Sequence, residues 1–245
     1  MSGKLDGKVA LVTGGSSGMG LATAELFVEE GAVVYITGRR LEPLDAATAR
    51  HGVQLRGVAA DASNLDDIDR LFSTIRSEVG RLDVLFASAG AGNLTEPLAD
   101  VTSESFDQLF GLNVRGTLFT AQKAAELMTG GGSIILNGSA AAEKAMPGSS
   151  VYAASKAALK SFARVWSAEL TPRGIRVNVL HPGPTDTPAL EGRPQAVRDF
   201  LVSLTTIGRL ARPTEIATAA LFLAGSDSSF VTGTELFVTG GMGQS

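Results

Sequence analysis

In Val9-Ala10-Leu11-Val12-Thr13-Gly14-Gly15-Ser16-Ser17-Gly18-Met19-Gly20, a short apolar run passes straight into a glycine-rich turn, and a helical pattern then continues to Glu30. Five consecutive residues without polar alternation mark a strand covered on both faces, which is the habit of parallel sheets. The strand–turn–helix unit recurs outward from this point. Further strands are predicted over 33–37, 55–60, 84–87, 133–136, 176–180 and 235–238, with helices over 41–50, 65–79, 103–128, 152–170 and 213–223. Strands of four to six residues alternating with helices call for right-handed crossovers and a parallel sheet. The expectation is a single α/β domain over residues 1–245, a Rossmann fold with a doubly wound seven-stranded parallel sheet and helices on both faces. Two long loops interrupt the rhythm, 140–151 and 182–206. The second carries Pro182, Pro184, Pro188 and Pro194 among Ala189, Leu190, Val197, Phe200 and Leu201, which reads as a substrate flap over about 184–206 with an apolar inner side.

Bulk properties narrow the functions available. The chain has 245 residues, 44% of them hydrophobic, and a net charge of −4, so it carries no basic footprint for nucleic acid or an anionic membrane. It has no cysteine and only two histidines, His51 and His181, which argues against disulfides, thiolate chemistry and a histidine-based metal centre; no metal is predicted. The first eight residues are polar and no apolar run approaches a membrane span, so a cytoplasmic location is expected.

The glycine turn admits two readings. Gly14, Gly18 and Gly20 permit close approach of a diphosphate to backbone N–H groups at a helix start, with Ser16, Ser17 and Met19 filling the turn. The same residues also satisfy G-x-S-x-G, the nucleophile elbow of a serine hydrolase, with Ser16 as nucleophile and His181 as the only late histidine. The end of the second strand favours the first reading. A protein that reads the 2′-hydroxyl of NAD places an acid there, whereas a basic residue accommodates a 2′-phosphate. This chain has Thr37-Gly38-Arg39-Arg40, so NADP(H) is the predicted cofactor, with Arg39 and Arg40 at the phosphate.

Tyr152-Ala153-Ala154-Ser155-Lys156 supplies chemistry. Residues four apart on a helix share a face, and the Ala-rich run 153–168 holds no Gly or Pro. A phenol lies roughly three pH units from useful acid–base work at neutrality, or ~4 kcal/mol. One ammonium ~4 Å away supplies about that much at an effective dielectric near ~20. The pair is matched to proton transfer.

Together these residues resemble the short-chain dehydrogenase/reductase family, and the likeness spans essentially the whole chain. Thr13-Gly14 with Gly18 and Gly20 is similar to the family's cofactor motif, and Tyr152 with Lys156 to its active-site motif. Asn113, in Leu112-Asn113-Val114-Arg115-Gly116, and Ser139, thirteen residues before Tyr152, stand at the positions of the remaining tetrad members. Asp61-Ala62 resembles the adenine-contacting pair, Ala89-Gly90 follows the fourth strand, and Pro182-Gly183 with Thr185 and Thr187 resembles the stretch that holds the nicotinamide carboxamide. The sequence departs from the pattern at Ala87-Ser88-Ala89-Gly90, where two asparagines are usual. It departs again at Gly138, where another serine often precedes the catalytic one, and at Val238-Thr239-Gly240-Gly241, where an Asp is common.

The resemblance implies reversible hydride transfer between nicotinamide and a ketone or secondary alcohol. Tyr152 would be the proton donor and Ser139 would position the carbonyl. Lys156 would lower the Tyr152 pKa and hold the nicotinamide ribose, and Asn113 would hold a relay water. Small apolar residues at the reacting centre (Ala91, Gly92, Ala140, Ala141, Met146 and Pro147, with Ala189 and Leu190 from the flap) point to bulky or apolar ketones, contacted by Ser139, Ala141, Tyr152 and Leu190. Phe86-Ala87-Ser88-Ala89-Gly90 and Asp186-Thr187-Pro188 look like NADP-dependent secondary-alcohol dehydrogenases and ketoreductases. A 3-oxoacyl-carrier-protein reductase and a non-catalytic NADP(H) sensor are the alternatives. The family also implies a homotetramer built on the two long helices, where Ala153, Ala157, Ser161 and Ala168 leave room for close packing.

Overall fold

Strand β1 (Val9–Thr13) is buried along its whole length, as its unbroken apolar run requires. It lies at the centre of the sheet in a computed structural model that describes residues 3–92 and 95–243; the first two residues of the polar N-terminus and the last two of the C-terminal tail lie outside the described residues. The other strands are β2 (Val33–Gly38), β3 (Leu55–Ala59), β4 (Val84–Ala87), β5 (Gly132–Asn137), β6 (Ile175–Pro182) and β7 (Glu235–Val238). They form one seven-stranded sheet in the order β3-β2-β1-β4-β5-β6-β7, with every pairing parallel. The order reverses between β1 and β4, and in such sheets ligands bind at the strand ends beside that switch point.

Alternate residues of each strand feed two separate cores. Leu11, Tyr35, Leu85 and Ile134 pack on one face against α3 (Leu65–Glu78), α5 (Thr117–Leu127) and α6 (Ser150–Leu170). Val12, Ile36, Phe86 and Ile135 pack on the other against α1 (Gly18–Glu29), α2 (Leu41–His51) and α8 (Pro213–Ala224). The period-2 alternation of side chains thus places apolar residues into both layers, which an amphipathic strand could not do.

Helix starts show where the chain keeps its own N–H groups satisfied. Asn64 accepts from the backbone of Asp66 and Asp67 at the head of α3, and Thr102 forms a capping box with Ser105 at the head of α4 (Ser103–Phe110). Pro213 opens α8, where Glu215 accepts from the Arg212 N–H at 2.7 Å. At α1, by contrast, Ser17 makes no side-chain cap bond and the first turn holds no acid. That helix presents its N–H groups at the glycine turn.

Two expectations need correction. The helix predicted over 103–128 is interrupted: α4 ends at Phe110, a π-helical turn covers Gly111–Gly116, and α5 follows. The wider turn places Asn113 fully inside the protein. The flap also contains a helix, α7 (Gln195–Ser203), after Pro194, tied back by Arg198 donating to Asp186 at 2.7 Å. Its Val197, Phe200 and Leu201 follow helical spacing, a signal obscured by the four surrounding prolines. The departure after β4 has a physical substitute: Thr13 accepts the Ala89 N–H at 3.0 Å, holding the ends of β1 and β4 together.

Gly116 closes the π turn against the loop after β3. A Cβ there would stand 2.0 Å from the Ala62 carbonyl oxygen, which is backbone and cannot swing away. Gly116→Ala is therefore expected to cost about 2 kcal/mol, as overpacking does. Denaturant melting with an unchanged m-value would register the loss, and a variant melting with the wild type would show that the loop yields freely.

Candidate active site

The carboxyl ends of the central strands bring together the residues singled out above. Gly14 has φ +64°, and a Cβ on it would press on the Ala89 backbone at 3.0 Å. Gly20 has no room for a Cβ, which would fall 2.3 Å from the Gly14 carbonyl oxygen. Gly18, at φ +54°, would direct a Cβ at Thr187, so the flap lies over the turn. An uncapped helix start beneath glycine backbone, bounded by Thr187, fits the diphosphate of a dinucleotide. Along the same edge, Gly38 packs against Ser16, and Arg39 and Arg40 are exposed beside it. Neither arginine has a hydrogen bond or ion pair among the described residues. Asp61 is less free: its carboxylate accepts from the Ser63 N–H at 2.8 Å and hydroxyl at 2.7 Å. Thr185 is buried with its hydroxyl on the Gly183 carbonyl at 3.0 Å.

Helix α6 carries the reactive pair inward. Lys156 is 3% exposed and its Nζ donates to the Asn137 carbonyl at 2.7 Å. Burial depresses its pKa to about 8. The same cause acts oppositely on Tyr152: burial raises the phenol above its ordinary value, and the neighbouring Ser139 hydroxyl lowers it by less. The expected lowering of the phenol by Lys156 is thus not what governs it here. Nζ stands 5.9 Å from the ring centroid and is held at the end of β5 by the Asn137 carbonyl. Gly90 makes room for this arrangement, since a Cβ would lie 3.1 Å from Asn113 Oδ1 and 3.2 Å from Lys156 Nζ.

Asn113 uses its amide in a way the sequence did not suggest. Its Nδ2 donates to the Ala91 carbonyl at 2.9 Å and the Ser155 hydroxyl at 3.0 Å, while Oδ1 accepts the Ala91 N–H at 3.0 Å. Both amide hydrogens are engaged, so the side chain braces the 90–92 loop and has no donor left for a water. Ser155, fully buried and donating to the Tyr152 carbonyl at 2.7 Å, completes that brace. It was hidden in sequence because a serine inside an Ala-rich helix carries no signal of its own.

Ser139 lines a cavity of about 250 Å³ together with Tyr152, Ala141, Met146 and Leu190. Leu201 on α7, expected on the apolar inner side of the flap, also lines it, and two further walls, Leu204 just after α7 and Met242 near the C-terminus, were not predicted. A Cβ on Gly92 would stand 3.4 Å from the Tyr152 ring, whereas Pro147 and Ala189 are exposed and do not line the cavity. The hydrolase alternative fails on His181. Its Nδ1 meets the Ser139 backbone and its Nε2 faces Glu235 at 3.1 Å, which leaves Ser16 without that base.

Comparison with known proteins agrees with this geometry. The family model described as enoyl-(acyl carrier protein) reductase matches residues 14–243. An oxidoreductase of Sarocladium schorii, asL5, is 46% identical over 98% of both chains, and a cyclopentanol dehydrogenase of Comamonas is 36% identical over the same shares. A solved structure described as a short chain dehydrogenase/reductase family protein superposes with a TM-score of 0.90 at 42% identity, covering 99% of this chain and 100% of the other. The chain belongs to the short-chain dehydrogenase/reductase family, whose members are oxidoreductases that use a nicotinamide cofactor. Among the described residues no helix is long and apolar enough to cross a membrane.

The buried ammonium of Lys156 sets a stability prediction. Its pKa falls from 10.5 unfolded to about 8 folded, which corresponds to about 3 kcal/mol against folding at pH 7. Lys156→Met removes that penalty and loses one hydrogen bond, for a net gain of about 1–2 kcal/mol at pH 7. The unfolded chain keeps this proton up to 10.5 while the folded one releases it near 8, so wild-type stability rises with pH across that window. The variant's advantage should therefore be largest below pH 8 and shrink towards pH 10.5. Melting both proteins at several pH values checks it, and a variant less stable than wild type at pH 7 would contradict it.

Proposed function

We propose that this protein is an NADP(H)-dependent ketone reductase, reversible to the secondary-alcohol dehydrogenase. It acts through Asn113, Ser139, Tyr152 and Lys156 on bulky or apolar ketones. The observation that carries the reading is that Ser139 and Tyr152 together line an apolar cavity beside the glycine turn, with Lys156 buried one helical turn beyond Tyr152. A nicotinamide bound there supplies hydride to the carbonyl carbon. The protein's own part concerns the oxygen. Ser139 donates a hydrogen bond to it and fixes its direction. Tyr152, which burial keeps protonated at neutral pH, gives its proton to the developing alkoxide. Lys156, pushed to about 8, is suited to return a proton towards the phenol. Asn113 acts by holding the loop that faces the Tyr152 ring.

Gly14, Ser16, Ser17, Gly18, Met19 and Gly20 would cradle the diphosphate, and Asp61 with Ala62 would border the adenine. Ala89, Gly90, Pro182, Gly183, Thr185 and Thr187 would border the nicotinamide half. Arg39, exposed and unpaired, supports NADP(H) over NAD(H), with Arg40 beside it. The apolar cavity favours a carbon-rich ketone over a small hydroxy acid, and the relative named cyclopentanol dehydrogenase is consistent with that preference. Of the two arginines on the flap, Arg198 is paired with Asp186 while Arg193 is exposed, so an acyl-thioester ketone belongs in the test beside free ketones. A purely sensory role would have no use for the Ser139–Tyr152–Lys156 arrangement. A homotetramer belongs to the same proposal. Ser161, Val165 and Ala168 are exposed on α6, and an apolar groove of about 340 Å³ runs between α5 and α6 beside Trp166. The cysteine-free chain suits a cytoplasmic setting.

Consumption of NADPH and NADH against small, bulky and acyl-thioester ketones tests the reading. NADPH should be preferred, and Arg39→Ala should reduce that preference by about tenfold, the worth of one charge-assisted hydrogen bond. Tyr152→Phe should lower kcat by at least ~100-fold in a folded protein. Near-normal turnover of that variant would remove Tyr152 as proton donor, and faster wild-type turnover with NADH would remove Arg39 as the phosphate reader.

A further inference from the structure

His181 is fully buried at the end of β6, directly beneath Ser139, and the chemistry above gives it no role. Its ring stacks on Phe237 of β7 with centroids 4.7 Å apart at 11°. On the opposite side it fills the space of a side chain at position 138: a Cβ on Gly138 would stand 2.6 Å from Nδ1 and 2.7 Å from Cε1. The glycine that departs from the family pattern before Ser139 is therefore the counterpart of this imidazole. Along its edge, Nδ1 accepts the Ser139 N–H at 3.1 Å and also lies 2.9 Å from the Ser139 carbonyl oxygen. Nε2 faces Glu235 Oε2 at 3.1 Å, and neither of these buried atoms has a hydrogen-bond partner elsewhere among the described residues.

The charges around the ring decide its tautomer. Glu235 on β7 faces Nε2, and Lys160 on α6 stands 3.3 Å from the same carboxylate oxygen. Lys160 also pairs with Glu143, in the turn that follows Ser139. A proton on Nδ1 alone would leave the Nε2 lone pair facing a buried carboxylate, two acceptors in contact without a proton between them. A proton on Nε2 removes that clash and lets Nδ1 accept the Ser139 N–H; the acceptor contact it leaves, Nδ1 with the Ser139 carbonyl oxygen at 2.9 Å, sets no formal charge against the lone pair and is the lesser of the two. We propose that His181 is a positioning residue for the reductase reaction. With its proton held on Nε2 by Glu235, it anchors the Ser139 peptide through Nδ1 and so aims the Ser139 hydroxyl at Tyr152 and the substrate oxygen. Protonating the ring would turn Nδ1 from acceptor to donor and move its bond from the Ser139 N–H to the Ser139 carbonyl. Burial holds the His181 pKa below its ordinary value, so that exchange belongs to acid pH and leaves the neutral range undisturbed.

This inference rests on the reductase reading, and the test separates the two. His181→Leu removes the acceptor, while His181→Asn places an oxygen near the Nδ1 position. In the full chain, His181→Leu should lower kcat by about ten- to a hundredfold, the cost of misaiming a positioned group, with the Kd for NADPH unchanged. Wild-type kcat should fall at acid pH, below the ordinary histidine range; His181→Asn should recover kcat to within about fivefold of wild type and lose that fall. Nitrogen-15 NMR of the wild type without substrate should show His181 neutral with its proton on Nε2 at pH 7; with two histidines in the chain the assignment is direct. A folded His181→Leu with kcat within about twofold of wild type would overturn the proposal, as would a proton on Nδ1. If His181→Leu does not fold, the NMR result and the Asn pH profile still decide it. Absence of wild-type turnover on every ketone would overturn the reductase reading instead, while the NMR measurement would still decide the tautomer.

Discussion

A buried ammonium constrains the centre of this molecule. Lys156 reaches from α6 to the Asn137 carbonyl at the end of β5, and every element around it yields space or polarity to that contact. Gly90 has no side chain because one would press on Nζ, and Asn113 is rolled inward by the π turn to line the same pocket. A charge so placed works against folding, so the stability of the chain has to come from elsewhere. It comes from the two apolar layers, whose largest fully buried side chains, Tyr35, Phe27 and Phe86, lie in the sheet and the helices packed on it. The site is destabilised locally and carried by a rigid frame.

One cause, burial, gives Tyr152 and Lys156 complementary properties. Removing water disfavours the charged form of each, so the phenol is raised and the ammonium lowered, and both groups tend towards their neutral forms. A neutral phenol is the form able to donate a proton, and an amine near neutrality is the form able to exchange one. An exposed pair at the same sequence spacing would have neither property.

The wall of the proposed substrate cavity is assembled from segments far apart in sequence. Ala141 and Met146 follow β5, Leu201 comes from the flap helix and Leu204 from just after it, and Met242 comes from the C-terminal tail. The flap is tied to its surroundings by the Arg198–Asp186 pair, the approach of Thr187 to Gly18, and the bridge of Thr185 to Ala211.

Much of this was legible beforehand because it rests on local patterns. Unbroken apolar runs mark strands buried on both faces, glycine spacing marks a turn at a helix start, and a Tyr–Lys interval of four marks one helix face. Those patterns specified the parallel α/β sheet, its seven strands and the Tyr152–Lys156 pair proposed to react. What local pattern could not carry was anything set by contact between distant segments. The π turn at Gly111–Gly116 depends on Ala62 across the molecule, and the sharing of Asn113 between Ala91 and Ser155 depends on three elements meeting. The tautomer of His181 depends on a carboxylate fifty-four residues away, and the depth that shifts Tyr152 and Lys156 exists only once the sheet has closed over them. Sequence by itself determined which residues could react and on what kind of scaffold. Tertiary structure decided their protonation and direction, because burial and long-range hydrogen bonds belong to the folded chain alone.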